Sequence, residues 1–430
     1  MMRYFLLFIG YLLFTLPVWA QRNCGLVEYR QEALRNDPGL AARVSAIEEF
    51  TRLRLKGPSV VITGTDPVGQ DPRKVVPTVI TIPVVVHIVY NNSTQNISDA
   101  QVQSQIDVLN ADYRKQNADT ARIPGYFSPL AADCGFRFAL ADLDTNGNAT
   151  TGIVRTHTSA SSFSVNDNIK FTALGGDNAW DRDRYLNIWV GNLSGGILGY
   201  SSIPGGQKGT DGVVVLYTAF GTRGTATAPF NLGRTATHEI GHWLNLIHIW
   251  GDADCGDDAV SDTPPQQTST QGNPSGMIVS CGNGPYGNMY MDYMDFTDDI
   301  GMHMFSLGQR DRMRTLFAQG GCRYPLLSST ALTGGAVGTG PATGAASQTA
   351  GELSLQFYPN PTAGAVLVKM NDPARVGSIL DVYNQVGQRV LTQSVTGLSF
   401  QLNIASLPGG LYFVNLRDSH QQGSYKLVKL

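Results

Sequence analysis

The chain has 430 residues, of which 42% are hydrophobic and 15% are charged, so it carries enough apolar side chains for a packed core. Lys and Arg number 31 against 34 Asp and Glu, a net charge of −3. This balance excludes the basic excess typical of nucleic-acid binding or of an anionic membrane surface. The length predicts two or three domains, and the 48 glycines favour a strand- and loop-rich exported protein over a helical bundle.

The first twenty residues have the pattern of a secretory signal peptide. Arg3 is the only early charge, an apolar run covers residues 4–18, and Ala20 precedes Gln21. The run is shorter than the roughly 20 residues that a transmembrane helix needs, and no later segment is long and apolar enough to cross a bilayer. We therefore expect an exported, soluble protein without a transmembrane segment.

The next part of the chain predicts a pro-segment followed by an α+β domain. Residues 21–78 are polar, with a helical pattern from Leu34 to Leu55, and they are too few to build their own core. The β-branched run 79–90 predicts a buried strand, and the capping box that starts at Ser98 predicts a helix. Further strands are expected at 136–143, 185–190 and 213–217. Strands mixed with long helices are typical of an α/β or α+β layer. For residues 79–325 we expect an α+β domain with an α/β-like upper subdomain.

The last hundred residues predict a linker and a small second domain. Residues 328–350 contain no charge and almost no large side chain, so we expect a flexible linker over 326–351. Residues 352–430 alternate short apolar runs with turns, which is typical of a small all-β sandwich.

The clearest chemical motif is the segment 238–248 (HEIGHWLNLIH). On a helix, His238 and His242 lie one turn apart on one face, where both can ligate zinc. Glu239 is placed beside them to accept a proton from a zinc-activated water. His248 becomes a third ligand if the chain turns back at Asn245, because Asn tolerates the left-handed conformation. Three histidines leave a coordination position open, which predicts a catalytic zinc site.

The five cysteines predict disulfides and one free thiol. In an oxidising compartment cysteines pair, and an odd count leaves one over. Cys24 stands alone in the pro-segment, and the other four lie in the predicted catalytic domain: Cys134, Cys255, Cys281 and Cys322. We therefore expect two disulfides and a free thiol.

At the histidine motif the chain resembles the metzincin clan of zinc peptidases and, more narrowly, the pappalysin (cytophagalysin) family. The match covers about residues 79–325 and includes the stretches 262–264 (DTP) and 302–305 (MHMF). The resemblance implies a secreted zinc endopeptidase made as a zymogen, with one zinc ion on the three histidines and Glu239 as the general base. It also implies that the strand near residues 199–201 pairs with an extended protein or peptide substrate.

The methionine turn, an apolar platform beneath the zinc in this clan, fits two positions. Met291 and Met294 both match locally, and the distance to residues 302–305 favours Met294. In that register Phe296 replaces the family's tyrosine, which helps to stabilise the transition state, and a phenyl ring has no hydroxyl to donate. Tyr293 would fill this role in the other register. Some family members carry an acidic residue near the position of Ile300, so Ile300 predicts an apolar rather than a basic preference after the scissile bond.

The resemblance also implies a disulfide between Cys255 and Cys281. Pairing Cys134 with Cys322 follows only by elimination, since four cysteines allow three pairings.

The resemblance implies two further ligand roles. Cys24 matches a cysteine switch, in which a pro-segment thiolate takes the fourth zinc position; the alternative is an inert thiol. The acidic loop implies a structural calcium ion with Asp257, Asp258 and Asp262 as candidate ligands; the alternative is a solvated loop.

The C-terminal segment resembles the sorting domain of type IX secretion cargo in Gram-negative bacteria. The matching stretches are 358–361 (YPNP), 407–413 (LPGGLYF) and 426–430 (KLVKL). The resemblance implies Sec export, passage through the outer membrane by the type IX machinery, and removal by its sorting protease or attachment to the cell surface. The alternative for this domain is a carbohydrate-binding or adhesion module.

Two functions from different classes follow. The first is a secreted zinc endopeptidase, expected as a monomer with no nucleic-acid partner. The second is a catalytically weak surface binding or adhesion protein that retains zinc. Phe296 supports the second, whereas the presence of Glu239 supports the first.

Overall fold

The computed structural model describes residues 21–56, 79–332 and 355–430, the last without residues 359, 361, 371–377, 385–387, 397–398 and 418–423. The predicted signal peptide, residues 57–78 of the pro-segment and residues 333–351 of the linker lie outside the described residues. The chain divides between residues 340 and 341 into two compact units, each described by itself. None of the described helices is long and apolar enough to span a bilayer.

Two helices form the described pro-segment. Helix α1 covers Leu26–Asn36 and α2 covers Leu40–Lys56, so the single helical pattern predicted over 34–55 is interrupted. The break lies at Pro38, because a proline disfavours helical backbone at the residue before it; Asp37 is extended. Helix α2 packs on the rest of its unit through Ile47 and Phe50, which contact the main hydrophobic core.

A mixed sheet forms the upper part of the first unit. Its strands have the order β2-β1-β4-β6-β5, and β3 pairs with the second half of β1. All these pairs are parallel except β5–β6, so β5 is an antiparallel edge strand. The strand bounds are β1 Ile80–Tyr90, β2 Phe136–Leu140, β3 Ile153–His157, β4 Leu186–Gly191, β5 Gly199–Ser201 and β6 Val213–Leu216.

Three helices complete this unit: α3 (Asp99–Asp112), α4 (Arg234–Trp243) and α5 (Leu307–Thr315). Ser98 caps α3, as its capping box predicts, and Ser306 caps α5 with a capping box of its own. Helices α3 and α4 share one core with the sheet, so the sheet fixes the position of α4 and its histidines. Two short strands, β7 (Gln271–Gly272) and β8 (Phe296–Thr297), pair beside them.

The first residues of the predicted linker belong to the first unit. Leu326 is buried in the main core, and Ala331 is fully buried beside Val85. The carbonyl of Ala331 accepts hydrogen bonds of 2.9 and 3.0 Å from the backbone N–H groups of Asp142 and Leu143. Packing therefore continues past residue 325, where the sequence predicts that the linker starts.

The second unit is an all-β sandwich. Strands β13-β10-β9 form one sheet and β12-β11-β14-β15 the other, and both contribute side chains to one core. The bounds are β9 Leu355–Tyr358, β10 Ala365–Met370, β11 Ile379–Tyr383, β12 Arg389–Ser394, β13 Ser399–Asn403, β14 Gly410–Arg417 and β15 Ser424–Lys429. A mixed α/β unit followed by an all-β unit confirms the predicted fold class.

Candidate metal centre

Three buried histidines converge at the end of α4. His238 and His242 lie one turn apart on the helix, which ends at Trp243. Asn245 then takes a left-handed φ of 75°, and the reversed chain brings His248 back to the other two. The Nε2 atom of His242 lies 3.0 Å from Nε2 of His238 and 3.1 Å from Nε2 of His248.

The outer nitrogens show that this arrangement fits a cation. The Nδ1 atoms of His238 and His242 lie 2.7 and 2.9 Å from the carbonyl oxygens of Tyr293 and Leu246, and Nδ1 of His248 lies 2.5 Å from a carboxylate oxygen of Asp252. Each Nδ1 therefore carries the proton, and three Nε2 lone pairs point at one another. Such lone pairs repel unless a positive ion lies between them.

Burial favours the neutral form of His238 and His242, the form in which histidine ligates a metal. It lowers the pKa of His238 well below its usual range, and burial together with repulsion from His248 lowers the pKa of His242 to about 3. The cluster formed by Cys24 with the three histidines has all four candidate ligand atoms within 4.8 Å of one another.

Glu239 lies beside this cluster and is fully buried. It is the single glutamate in the sequence between residues 79 and 332. Burial raises the pKa of Glu239 to about 8, against the lowering effects of a hydrogen bond from Cys24 and the charge of Arg22. The edge strand β5 passes directly over it: a Cβ atom at Gly199 would lie 2.9 Å from the Glu239 side chain and 2.9 Å from the carbonyl of Val214. Only glycine fits there.

The structure places Met294, and not Met291, under α4. A Cβ atom at Gly241 would lie 2.5 Å from the Met294 sulfur, so the glycine allows the methionine to contact the helix. Met294 is fully buried in the main core, whereas Met291 packs with Trp250 in a separate cluster.

Phe296 and Tyr293 have different surroundings. The Phe296 ring lies 5.7 Å from the His238 ring and 4.9 Å from the His248 ring, so it forms a wall of the centre. The Tyr293 hydroxyl accepts a hydrogen bond of 2.8 Å from Arg234, whose guanidinium lies over the Tyr293 ring. This hydroxyl is buried beside Arg234, and the role of Tyr293 in the alternative register stays a prediction.

The pro-segment crosses the centre as an added strand. Cys24 pairs in parallel with Gly199 of β5; the Gly25 N–H donates to the Gly199 carbonyl (2.8 Å) and the Leu198 N–H donates to the Asn23 carbonyl (2.9 Å). The Cys24 thiol lies 3.6 Å from Glu239. Burial, and then the Glu239 carboxylate, raises the pKa of this thiol well above its usual value, so a thiolate here needs a cation among the histidines.

Arg22 fills a buried pocket next to the centre. Its side chain forms an ion pair with Asp299, donates to the Thr297 carbonyl (3.0 Å) and to the Thr235 hydroxyl (3.2 Å), and lies over the Phe230 ring. Asp299 also accepts hydrogen bonds from backbone N–H groups at the start of α4. The acidic pocket is therefore part of the fold and is matched by a basic side chain of the pro-segment.

Ile300, from which the sequence predicts an apolar preference after the scissile bond, does not contact the Arg22 side chain. The Ile300 side chain is 44% exposed and faces a surface cavity beside Asp119 and Leu232. The carboxylate of the preceding residue, Asp299, takes the buried position instead. The apolar preference predicted from Ile300 therefore has no support in the structure.

One of the two predicted disulfides is present in the structure. Cys255 and Cys281 form a disulfide with a Cα–Cα distance of 5.7 Å. The pairing of Cys134 with Cys322 is wrong, because both are free. The charged neighbours of Cys134 include Arg310 and Arg314, whereas those of Cys322 are Arg323, Asp211 and Arg182, so the two thiols lie in different surroundings.

The predicted calcium ligands are not gathered in one place. Asp257 accepts from the backbone of its own loop, and Asp258 accepts from the Thr263 hydroxyl. Asp262 instead accepts from Ser306 and from the N–H of Gly308 at the start of α5. Each carboxylate has a local structural partner, and calcium stays a prediction.

The sequence does not indicate that three residues lie at the centre: Arg22, Asp299 and Asp252, the last of which belongs to the acidic loop. Asp252 follows His248 by four residues, a spacing at which it can reach the histidine ring. The Arg22–Asp299 pair spans 277 positions and has no local sequence signal.

Two family models match this chain. The family described as Pregnancy-associated plasma protein-A matches residues 174–318, which include α4 and Met294. A secretion system C-terminal sorting domain matches residues 356–430.

Relatives with similar sequences and structures agree with the match to the first of these families. Mature mirolysin of Tannerella forsythia, solved with a cleaved peptide, is 52% identical, with 58% of this chain and 95% of that chain covered and a TM-score of 0.57. A promirolysin mutant from the same organism is 45% identical over 71% of this chain and 97% of that chain, with a TM-score of 0.63. An extracellular metalloprotease of Pyricularia oryzae is 32% identical over 249 residues, 56% of this chain and 76% of the relative. The chain belongs to the pappalysin family of metalloendopeptidases.

Proposed function

We propose that this protein is a secreted zinc endopeptidase whose zinc ion binds to His238, His242 and His248 and whose general base is Glu239. The observation that carries the proposal is the convergence of three Nε2 lone pairs beside a buried carboxylate. A zinc ion bound there supplies a Lewis acid that polarises the scissile carbonyl and makes a water molecule acidic.

Residues of the chain transfer the proton, bind the substrate and support the histidines. Glu239 accepts the proton of the attacking water and delivers it to the leaving amine. The edge of β5 holds the substrate backbone, because the pro-segment already pairs with that edge. Met294 supports the helix that carries the first two histidines, and Phe296 shields the third.

The pro-segment keeps the enzyme latent through two side chains. We propose that the Cys24 sulfur takes the fourth position at the zinc ion and so excludes water, while Arg22 fills the pocket of Asp299. Its strand runs parallel to β5. We propose that a substrate binds antiparallel to β5. The peptide bonds of the parallel pro-segment then run in the opposite direction to those of a substrate, and this reversed direction protects the pro-segment from cleavage.

The pocket of Asp299 also supports a substrate preference. It holds an arginine beside the centre with an ion pair, two hydrogen bonds and a contact with Phe230. We propose that activated enzyme places an arginine or lysine side chain of the substrate in this pocket, directly after the scissile bond. This replaces the apolar preference expected from Ile300.

The C-terminal sorting domain supports delivery by type IX secretion to the cell surface. We propose that the domain is recognised by the type IX machinery of a Gram-negative bacterium after export by the predicted signal peptide.

Casein cleavage tests the proposal. Full-length wild type, Glu239→Gln and Asp133→Asn, a half-exposed carboxylate control, are treated alike with an added protease that removes the pro-segment. We expect one zinc per chain in all three, and a loss of roughly 10²- to 10⁴-fold in Glu239→Gln alone, the usual contribution of a general base. Equal cleavage by Glu239→Gln would refute the assignment, and zinc without cleavage in any of the three would favour the binding-protein alternative.

A further inference from the structure

A buried lysine lies outside the metal centre, under helix α1 of the pro-segment. The Lys170 ammonium forms an ion pair of 2.7 Å with Asp167 and donates to the carbonyl of Thr210 at 2.8 Å. Three aromatic rings surround it: those of Tyr29, Tyr200 and Trp189, with centroids 4.9, 5.1 and 5.4 Å from the Nζ atom. The mechanism proposed above uses none of these side chains.

Of these residues, Tyr29 alone comes from the pro-segment. Its hydroxyl lies 3.0 Å from a carboxylate oxygen of Asp167 and donates to it, and its ring lies 5.4 Å from the ring of Tyr200. A phenol is therefore held at three points: a charge-assisted hydrogen bond, a cation–π contact and an aromatic contact. When the pro-segment leaves, this phenol site becomes open.

The phenol site lies next to the strand edge that receives the substrate. Tyr200 directly follows Gly199 in β5, and a Cβ atom at Gly25 would lie 3.2 Å from Tyr200. Tyr29 lies four positions after Gly25, a rise of about 6 Å along the helix. An extended substrate covers the same distance with about two residues. Arg22 lies on the other side of Cys24 in the chain. The phenol site is therefore on the amino-terminal side of the bond that would be cleaved.

The pro-segment does not fill the space beside Tyr29. A cavity of about 210 Å³ adjoins the ring; pro-segment residues form one wall, and Asp167, Phe171, Ile203 and Thr210 form the other. An extended polypeptide therefore has room to enter the phenol site with more than one side-chain orientation.

We propose that Asp167, Lys170 and Tyr200 form a substrate subsite for an aromatic side chain, tyrosine above all, two to four residues before the scissile bond. The subsite rests on the proposed function, since it requires a peptide bound along β5. It adds a second specificity element to the acidic pocket of Asp299, on the opposite side of the scissile bond.

Peptide cleavage by the activated wild-type protein tests the subsite. In a peptide that the enzyme cleaves, Tyr, Phe or Leu is placed in turn two, three and four residues before the scissile bond, and kcat/KM is measured for each. At one of the three positions we expect kcat/KM for the Tyr peptide to exceed that for the Leu peptide by about tenfold. The value for the Phe peptide should lie between them, because Phe keeps the ring contacts and lacks the hydroxyl.

The variant Asp167→Gly identifies the hydrogen-bond acceptor. Asp167 has a φ of 62°, which glycine adopts readily, so the backbone is kept. We expect the ratio of Tyr to Phe cleavage to fall to about one in this variant and to persist in Asp133→Asn. A ratio compares two peptides on one protein preparation, so a partly unfolded sample does not alter it. Equal cleavage of all peptides by wild type, or a ratio unchanged in Asp167→Gly, would overturn the subsite; no cleavage of any peptide would instead overturn the proposed function.

Discussion

At the scale of single residues, the three histidines differ in what holds them. His238 and His242 are held by backbone carbonyls, whereas His248 is held by the carboxylate of Asp252 and by the ring of Trp250, which stacks at 4.4 Å with an interplanar angle of 6°. Because His248 follows the helix, these two contacts replace the support that α4 gives the other two histidines. We therefore propose that Asp252 positions His248 for metal binding.

We expect Asp252→Asn to weaken zinc binding by about 10- to 100-fold, the usual effect of losing such an outer partner. Competition with a chromophoric chelator measures the affinity directly and does not depend on cleavage. Asp254→Asn, in the same loop and exposed, is the control and should bind zinc like wild type. Equal affinities for Asp252→Asn and wild type would show that the carboxylate does not support the ligand.

Asp299 should decide the preference for the residue after the scissile bond. Asp299→Asn keeps a hydrogen-bond acceptor for the start of α4 but loses the charge opposite Arg22. We expect the ratio of cleavage before Arg to cleavage before Leu to fall by roughly 10-fold or more, as for a lost charged hydrogen bond. Ile300→Ala is the matched control, since its side chain is half exposed. A peptide library digested by the three proteins gives the ratios, and an unchanged ratio in Asp299→Asn would contradict the assignment of this pocket.

At the scale of elements, the pro-segment contacts the rest of the first unit through a strand and two helices. Its strand occupies the edge of β5, its first helix closes the phenol site, and its second helix packs on the core through Ile47 and Phe50. Glu48 of α2 adds an ion pair of 2.6 Å with Arg312 of α5. The proposed latency therefore rests on several contacts, and among the described pro-segment residues only Cys24 belongs to the cluster of candidate metal ligands.

Cys24→Ala should self-activate faster than wild type, because water gains access to the centre while the helices still bind. Cys322→Ala removes another free thiol, away from the three histidines, and should keep the latency of wild type. The time course of pro-segment loss on a gel, for both variants and wild type at equal concentration, measures the effect. Unchanged latency in Cys24→Ala would refute the switch.

At the scale of the whole molecule, each unit has a hydrophobic core of its own. The first unit extends to the buried Leu326 and Ala331, past the predicted boundary at residue 325. We expect a chain ending at residue 340 to keep the melting temperature of the first unit, whereas a chain ending at residue 323 should melt lower because it loses these two buried side chains. Calorimetry of the full-length and the two truncated proteins checks this. Equal melting temperatures for both truncations would contradict a first unit that extends to Ala331.

Local patterns predict the parts of this protein that depend on neighbours in sequence. The strand at 80–90, the Ser98 and Ser306 caps and the helix that carries His238 and His242 all follow from short-range spacing. Asn245 predicts the turn that brings back His248, because few residues accept its backbone conformation. The start of α4 at Arg234 is stabilised instead by Asp299, a distant residue that accepts hydrogen bonds from the backbone N–H groups of Leu232 and Arg234.

The contacts that the sequence does not predict join residues that are distant in the chain. Arg22 meets Asp299, Tyr29 meets Asp167, and Cys24 meets Glu239 only after the pro-segment has docked on the folded sheet. The odd number of cysteines predicts one free thiol, at Cys24. This reasoning is unsound, because Cys134 and Cys322 are also free. The position of Cys24 beside the three histidines, and not parity, carries the argument for the switch.

X-ray absorption at the zinc edge of the full-length, latent protein tests the central claim most directly. The account predicts one zinc ion per chain with three imidazole nitrogens and one sulfur as its neighbours. In Cys24→Ala the sulfur should be replaced by an oxygen or nitrogen neighbour, with the three imidazoles unchanged. A zinc ion with no sulfur neighbour in the wild-type latent protein, or the same sulfur signal in Cys24→Ala, would contradict a metal centre built from these histidines and closed by the pro-segment thiolate.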